Sequence, residues 1–189
     1  MEKQKIHIRF GVLALLILLA AFSRLIPHPP NFSPIGAMAL FGSAYFSRKH
    51  VALLLPILAM WVSDMVINNV VYAQYFERFT FFYQGFYWTY GAFIVIGVIG
   101  FYVLKKVHFA NVISAALLAS VAFFVISNFG VWASGAMYPK SLSGLAACYT
   151  AGIPFFKNTI LGDLVYSGIL FGAFELVQYK YPALKLRTI

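Results

Sequence analysis

The stretch that decides the fold is Arg24-Leu-Ile-Pro-His-Pro-Pro-Asn-Phe-Ser-Pro-Ile-Gly36, which holds four prolines in thirteen residues. Because proline fixes φ and has no N–H group, this stretch cannot continue a helix and is expected to be an ordered, extended linker. The apolar segment after it, residues 34–46, is short for a full membrane crossing. If so, part of the linker dips toward the membrane, where irregular backbone persists only when protein buries it or it lines a wet cavity. In transporters such an interrupted segment points to the binding site, and a rigid surface turn is the alternative interpretation.

The composition on both sides of this linker indicates a membrane protein. Hydrophobic residues make up 62% of the 189 residues and charged residues only 10%, against roughly a quarter charged in soluble domains. A net charge of +9 would suggest nucleic acid in a soluble protein. In a bilayer, basic residues instead anchor the topology and contact anionic headgroups. We therefore expect membrane lipids as partners and no nucleic acid.

The basic residues predict which ends of the apolar segments face the cytoplasm. Lys and Arg in short loops stay on the cytoplasmic side during membrane insertion, and the apolar stretch between consecutive basic islands is long enough for two crossings. The sequence therefore predicts six spans, with both termini in the cytoplasm. Ten of the fourteen basic residues form the four islands: Lys3, Lys5 and Arg9; Arg48 and Lys49; Lys105 and Lys106; Lys180, Lys185 and Arg187.

The predicted fold class is an all-α integral membrane protein, with a single six-helix domain over residues 1–189. Long connections are expected at residues 68–85 and 133–154, and a kink is expected at Pro56. Cys148 is the only cysteine, so no internal disulfide is possible. The six predicted helices cover approximately residues 8–25, 34–46, 51–67, 86–104, 110–132 and 155–177.

Polar residues within these segments fall mostly in the outer half of the predicted bundle. An ionised aspartate facing lipid costs at least about 2.5 kcal/mol, so such residues usually face the interior or water. Pairing of Arg24 with Asp64 or Asp163 would offset that cost, and a pair that only fixes helix order is the alternative to ligand contact. The one-sided distribution predicts a pocket open to the outside. The candidate substrate-binding residues are Arg24, His28, Asn31, Asp64, Asn128, Trp132, Asn158 and Asp163.

Other features are less specific. Residues 70–90 carry eleven aromatics in twenty-one positions, which fits either a lid that stacks on a planar ligand or an interfacial aromatic belt. His28 has no clear second metal ligand beside it, so we predict no metal and no cofactor.

The chain has no phosphate-binding loop and no zinc-protease or serine-hydrolase motif. Uphill transport would therefore need an energy-supplying partner or an ion gradient.

Four runs carry a resemblance to a known family: Arg24 to Ala37 (through Pro-His-Pro-Pro-Asn), Ser63-Asp64, Ser127-Asn-Phe-Gly-Val-Trp132, and Pro154-Phe-Phe-Lys-Asn-Thr-Ile-Leu-Gly-Asp163. Nearly the whole chain resembles a family of bacterial membrane proteins described as transport proteins. That family looks similar to the substrate-binding S components of energy-coupling factor (ECF) transporters. The resemblance implies a six-helix bundle in the bacterial inner membrane that captures a vitamin-like nutrient and docks on a coupling subunit with two ATPases. Segment one lacks the Ala-x-x-x-Ala spacing through which S components often dock.

The sequence thus favours a nutrient-binding transporter subunit, not an enzyme, with an outward pocket built from segments one, three, five and six. Arg24 and Asp163 would set the electrostatics of the pocket, His28 and Asn31 would form hydrogen bonds, and Trp132 would stack on the ligand. One alternative is a membrane scaffold, similar to the six-helix subunits of cell-wall elongation complexes. A second alternative is an intramembrane enzyme that uses His28 with an aspartate.

Overall fold

The structure, a computed structural model, describes residues 2–185, and within them it is all-helical with no strand. This confirms the predicted all-α class. A π-helical segment (Ile67–Val71) and a 3-10 turn (Ala73–Tyr75) follow the third helix, and a second 3-10 turn (Pro182–Leu184) ends the described chain. Arg187 and the side chain of Lys3 lie outside the described part. The α-helices are α1 (Glu2–Ser23), α2 (Ile35–Tyr45), α3 (Lys49–Val66), α4 (Phe86–Val103), α5 (Phe109–Ser134) and α6 (Leu142–Lys180).

Five of these helices are long and apolar enough to cross a membrane, namely α1, α3, α4, α5 and α6. The other, α2, has 11 residues and is therefore about 16 Å long, roughly half of a hydrocarbon core of about 30 Å. The second predicted segment is thus a helix at the expected place, but by itself it is too short to cross. The chain is a multi-pass helical membrane protein with one short internal helix.

The short helix α2 lies at the centre of the bundle and contacts all five long helices. Nine of its eleven residues are buried, from Ile35 to Gly42 and at Tyr45. Small residues make this possible, because they let neighbouring backbones approach closely. At Gly42, for example, an added Cβ would meet the Ala52 carbonyl oxygen at 2.5 Å. The helix after the proline linker is therefore the core around which the others pack.

One end of the bundle, called here the basic end, collects the described basic islands. The Arg9 guanidinium donates to the backbone oxygens of Tyr45 (3.2 Å) and Leu184 (2.6 Å) and to Gln178 Oε1 (3.3 Å). These bonds hold the start of α1, the end of α2 and the end of α6 together. Lys49, at the start of α3, lies over the Phe101 ring near the end of α4. The opposite end, called the distal end, holds the end of α1, the start of α4 and the end of α5.

The sixth helix is longer than the sequence predicts. It begins at Leu142 instead of near residue 155, so the expected long connection at 133–154 is reduced to the residues between α5 and α6. The sequence predicted that the connection ends at Pro154, but this proline lies inside α6. There it removes only one backbone hydrogen-bond donor from the helix. Contacts with α5 hold the turns before it. Cys148 Sγ donates to the Asn128 carbonyl (3.3 Å) and the Tyr149 hydroxyl donates to the Val125 carbonyl (2.7 Å).

Candidate functional site

Asp163 lies inside the bundle at the N-terminus of α2. Its side chain is buried, with the residue 3% exposed, and it accepts a hydrogen bond from Ser120 Oγ at 2.7 Å. The carboxylate also lies against the first turn of α2, close to the backbone amides of Gly36 and Ala37. The first amides of a helix lack partners within the helix and favour an acidic group. Asp163 therefore provides from α6 the N-terminal cap that Pro34 cannot supply.

Arg24 and Asp64 form an ion pair at the distal end. Arg24 Nη2 lies 2.6 Å from Asp64 Oδ1, and the two side chains are 14% and 6% exposed. Arg24 Nη1 donates to Ser63 Oγ at 2.7 Å, and the Tyr90 hydroxyl donates to Asp64 Oδ2 at 2.8 Å. Of the two partners predicted for Arg24, the structure pairs it with Asp64. The pair joins the ends of α1 and α3 to α4. This arrangement is what we expect of an ion pair that fixes the order of the helices.

His28 and Asn31 belong to the proline linker, and Asn158 of α6 contacts it. Asn158 Nδ2 donates to the Pro30 carbonyl at 2.9 Å. His28 is exposed, and its Nδ1 lies 3.0 Å from the Pro29 carbonyl oxygen. Asn31 adopts a left-handed backbone conformation with φ 63°, which asparagine tolerates better than most residues. These residues shape a turn before the chain descends into α2.

Asn128 and Trp132 contact the first part of α6 and its preceding connection. Asn128 Nδ2 donates to the Phe124 carbonyl one turn earlier in α5 (2.8 Å). The Asn128 side-chain amide also fills the space where a Cβ on Gly152 would lie. Trp132 Nε1 donates to the Pro139 carbonyl at 2.9 Å, and the Lys140 ammonium lies 5.6 Å from the centre of the indole ring. The structure therefore gives both side chains partners within the α5–α6 hairpin.

The aromatic connection between α3 and α4 is held by one asparagine amide. Asn69 Oδ1 accepts from the Thr80 amide at 2.6 Å, and Asn69 Nδ2 donates to the carbonyls of Thr80 (2.9 Å) and Met65 (2.8 Å). Rings along the connection pack on each other, with Phe82 and Phe86 centred 4.4 Å apart. The connection is thus fixed across the start of α4.

A cavity of about 520 Å³ opens at the distal end, between the start of α4 and the end of α5. Its walls combine rings and hydroxyls, and none of its lining residues carries a charge. We call it the distal cavity, and its main polar and aromatic lining residues are Tyr83, Gln84, Trp88, Thr89, Ser127 and Ser134. None of the eight candidate substrate-binding residues lines it.

Trp88 forms one wall of the distal cavity in a fixed orientation. Its indole lies directly on α5 at Gly130, where an added Cβ would overlap the ring. Its Nε1 donates to Ser134 Oγ at 2.7 Å, and its ring meets Phe129 edge to face at 5.2 Å. A rigid aromatic ring beside hydroxyl groups is the arrangement that planar ligands use for stacking and orientation.

Tyr83 lies at the wall of the distal cavity, near enough to the Asp64 carboxylate for its charge to affect the hydroxyl. Its ring lines the cavity, and burial raises the pKa of its hydroxyl, an effect that a hydrogen bond with Thr89 partly opposes and the Asp64 carboxylate reinforces. The hydroxyl therefore stays protonated at neutral pH and remains available as a neutral donor. Sequence reasoning missed Tyr83, Trp88 and Gly130 as neighbours because their contact depends on how α4 packs on α5.

Two further polar groups in this part of the bundle have no partner among residues 2–185, namely Asn68 Nδ2 and Trp61 Nε1, both buried atoms. Asn68 lies in the π-helical segment, and such segments occur frequently at functional sites. No group of three or more His, Cys, Asp or Glu residues that would suit a metal ion occurs in the described chain.

The fold and these sites define an all-helical, multi-pass membrane protein in which the buried charged side chains Arg9, Arg24, Asp64 and Asp163 all have polar partners inside the bundle. Residues 4–184 match the model of a family of unknown function, DUF6580, and the chain belongs to this family. No curated protein and no solved structure matches the chain.

Proposed function

We propose that this protein is a membrane transport protein that binds a small, vitamin-like nutrient from outside the cell, in the manner of an ECF S component. The observation that carries the proposal is the distal cavity, which lies at the end opposite the basic islands. Its volume of about 520 Å³ falls within the usual range for small-molecule sites, about 300–1,000 Å³. The proposed activity is binding and translocation, without chemical conversion of the ligand.

The topology proposed with this function places the basic end on the cytoplasmic side of the bacterial inner membrane. The proline linker and α2 together form one crossing, the second along the chain, which brings the total to six. In this crossing the linker lies in the outer half of the membrane and α2 in the inner half. A short helix with its N-terminus near the membrane centre is a feature of transporters, where such breaks let one part move against another. The Asp163 cap is the contact that would have to adjust during such movement.

The chemistry of the cavity narrows the expected ligand. Trp88 and Tyr83 supply ring faces, while Thr89, Ser127 and Ser134 supply hydroxyls. Because enclosing an unpaired charge is costly, the enclosed part of the ligand is expected to be uncharged and planar. The proposal therefore predicts stronger binding of neutral aromatic heterocycles than of their charged analogues.

Thermal stabilisation in detergent tests this function against the scaffold alternative. The purified protein would be screened with a panel of vitamins and precursors, and any small molecule retained from native membranes would be identified by mass spectrometry. A ligand that raises the unfolding temperature supports transport, whereas a scaffold shows no stabilisation with any member and retains none. Copurification of ATPase subunits would support an ECF-type partner.

A matched pair of tryptophan variants locates the site. Trp88→Leu removes the cavity wall, while Trp132→Leu makes the same chemical change on the Pro139 and Lys140 side. We expect ligand affinity to fall at least tenfold in Trp88→Leu and to stay within threefold in Trp132→Leu. The reverse order would locate the ligand among the residues suggested by sequence and reject the distal cavity.

A further inference from the structure

A second cavity, of about 320 Å³, lies near the basic end between the start of α5 and the later part of α6. We call it the α5–α6 groove. Gly168 and Gly172, one turn apart on α6, line it, and a Cβ added at either position would meet no atom within 4 Å. The hydroxyl of Ser167, which also lines the groove and is 1% exposed, has no partner in the described residues. Protein atoms therefore leave this wall incomplete.

The groove faces the surroundings of the bundle at the level of the membrane. Phe109, at its mouth, is 83% exposed, and Ile169, next to the glycine floor on α6, is 57% exposed. Both helices are among those apolar enough to cross a membrane. Exposed apolar side chains of this kind contact lipid tails in a membrane protein, so the groove is open to the hydrocarbon.

Basic residues lie beside the groove in the chain. His108 lines it, and Lys105 and Lys106, whose side chains are exposed, come three and two residues before His108. The single acidic residue of the lining, Glu175, already accepts hydrogen bonds from the Tyr45 hydroxyl (2.6 Å) and from Gln178 Nε2 (3.2 Å). A negatively charged group at the mouth would therefore meet lysine and histidine side chains, which suits a lipid phosphate.

The position of the groove favours a lipid as its occupant. Its apolar walls open toward the hydrocarbon, where an acyl chain would lie, and its basic neighbours are at the end of the bundle where the headgroup of that lipid would lie. We propose that the groove binds an acyl chain of an anionic phospholipid, with the phosphate held by Lys105, Lys106 and His108.

Native mass spectrometry of the full-length protein tests the lipid site. The protein would be extracted into detergent and titrated with phosphatidylglycerol or with phosphatidylethanolamine of the same chain length. We expect at least tenfold tighter binding of the first bound phosphatidylglycerol than of phosphatidylethanolamine. Equal affinities for the two lipids would overturn the proposal.

Filling the groove provides the matched variant. Gly172→Leu places a side chain in the open space, while Gly11→Leu makes the same change on α1, at another position where a Cβ meets no atom within 4 Å. We expect Gly172→Leu to weaken phosphatidylglycerol binding at least tenfold and Gly11→Leu to leave it within twofold. The double variant Lys105→Gln/Lys106→Gln should remove the preference for phosphatidylglycerol.

Cross-linking on the wild-type protein covers the case in which a variant fails to fold. Phosphatidylglycerol with a photoreactive diazirine in its acyl chain should attach to peptides containing residues 109–116 and 164–172. Attachment spread evenly over all lipid-facing helices would overturn the proposal. A dimer that is detected for the wild-type protein by native mass spectrometry and is lost in Gly172→Leu would also overturn the proposal. In that case the groove would bind a second copy of the chain.

Discussion

Substituting Gly36 by alanine places a methyl group where the Asp163 carboxylate lies. The new Cβ would meet Asp163 Cγ at 2.8 Å and Oδ2 at 2.9 Å, so α6 or the start of α2 must shift. Overpacking of this kind costs about 1–3 kcal/mol, and displacing the carboxylate from Ser120 and the helix amides costs about 1–3 kcal/mol more. Replacing glycine in a helix recovers at most about 1 kcal/mol. The free energy of unfolding should therefore fall by about 1–6 kcal/mol.

This change can be measured by reversible unfolding in mixed micelles, followed by the loss of helical circular dichroism. Gly11→Ala is the matched control because nothing lies within 4 Å of an added Cβ there, and it should leave stability unchanged or raise it slightly. A double-mutant cycle isolates the cause. In an Asp163→Ala background, the cost of Gly36→Ala should fall below about 1 kcal/mol. An undiminished cost in that background would refute the assignment of Asp163 as the cap of α2.

Three further outcomes are expected from contacts elsewhere in the bundle. Arg24→Ala leaves the buried Asp64 carboxylate unpaired and should lower the free energy of unfolding by about 3–5 kcal/mol; a loss below about 1 kcal/mol would contradict the ion pair as a structural element. Asn69→Ala removes the amide that holds Thr80, so hydrogen exchange and protease cleavage within residues 72–85 should increase while α4 stays protected. Cys148 is 2% exposed and should react with maleimide only after unfolding, and rapid labelling of the folded protein would be inconsistent with its burial.

The course of the chain through the bundle could be predicted largely from charge and apolar length. Basic islands bracket the apolar segments, and the structure gathers the described islands at one end because each pair of segments returns there. The proline linker correctly predicted a break and a short second segment. The central burial of α2 was not predictable in the same way, since it arises from the contacts of Gly36 and Gly42 with residues distant in sequence.

The site was predicted less completely than the fold. Sequence identified Arg24, Asp64 and Asp163 as groups that need partners, but it could not decide that Asp163 meets a helix N-terminus while Arg24 meets Asp64. The polar groups at the basic end were also underestimated, because Arg9 was treated only as a topology signal. In the structure it joins Tyr45 and the end of α6.

Two local features of the sequence were misinterpreted or overlooked, namely the proline within α6 and the glycines near the distal cavity. Pro154 suggested a helix boundary, although side-chain contacts of the preceding turns with α5 keep α6 continuous. The aromatic run in residues 70–90 was interpreted as either a lid over a planar ligand or an interfacial belt, and the turn within it was passed over. Gly85, with φ 79° at the start of α4, marks the turn that brings Tyr83 and Trp88 to one cavity, and Gly130 provides the flat surface against which Trp88 packs.

The most direct test concerns the side of the membrane from which the distal cavity is reached. In a Cys148→Ala background, Ser127→Cys places a thiol in the cavity wall, and Tyr181→Cys places one at the exposed basic end. A membrane-impermeant maleimide added to intact cells should label position 127 and leave position 181 unlabelled until the membrane is opened. Labelling of position 127 only from the cytoplasmic side, or from neither side, would contradict an outward-facing binding site.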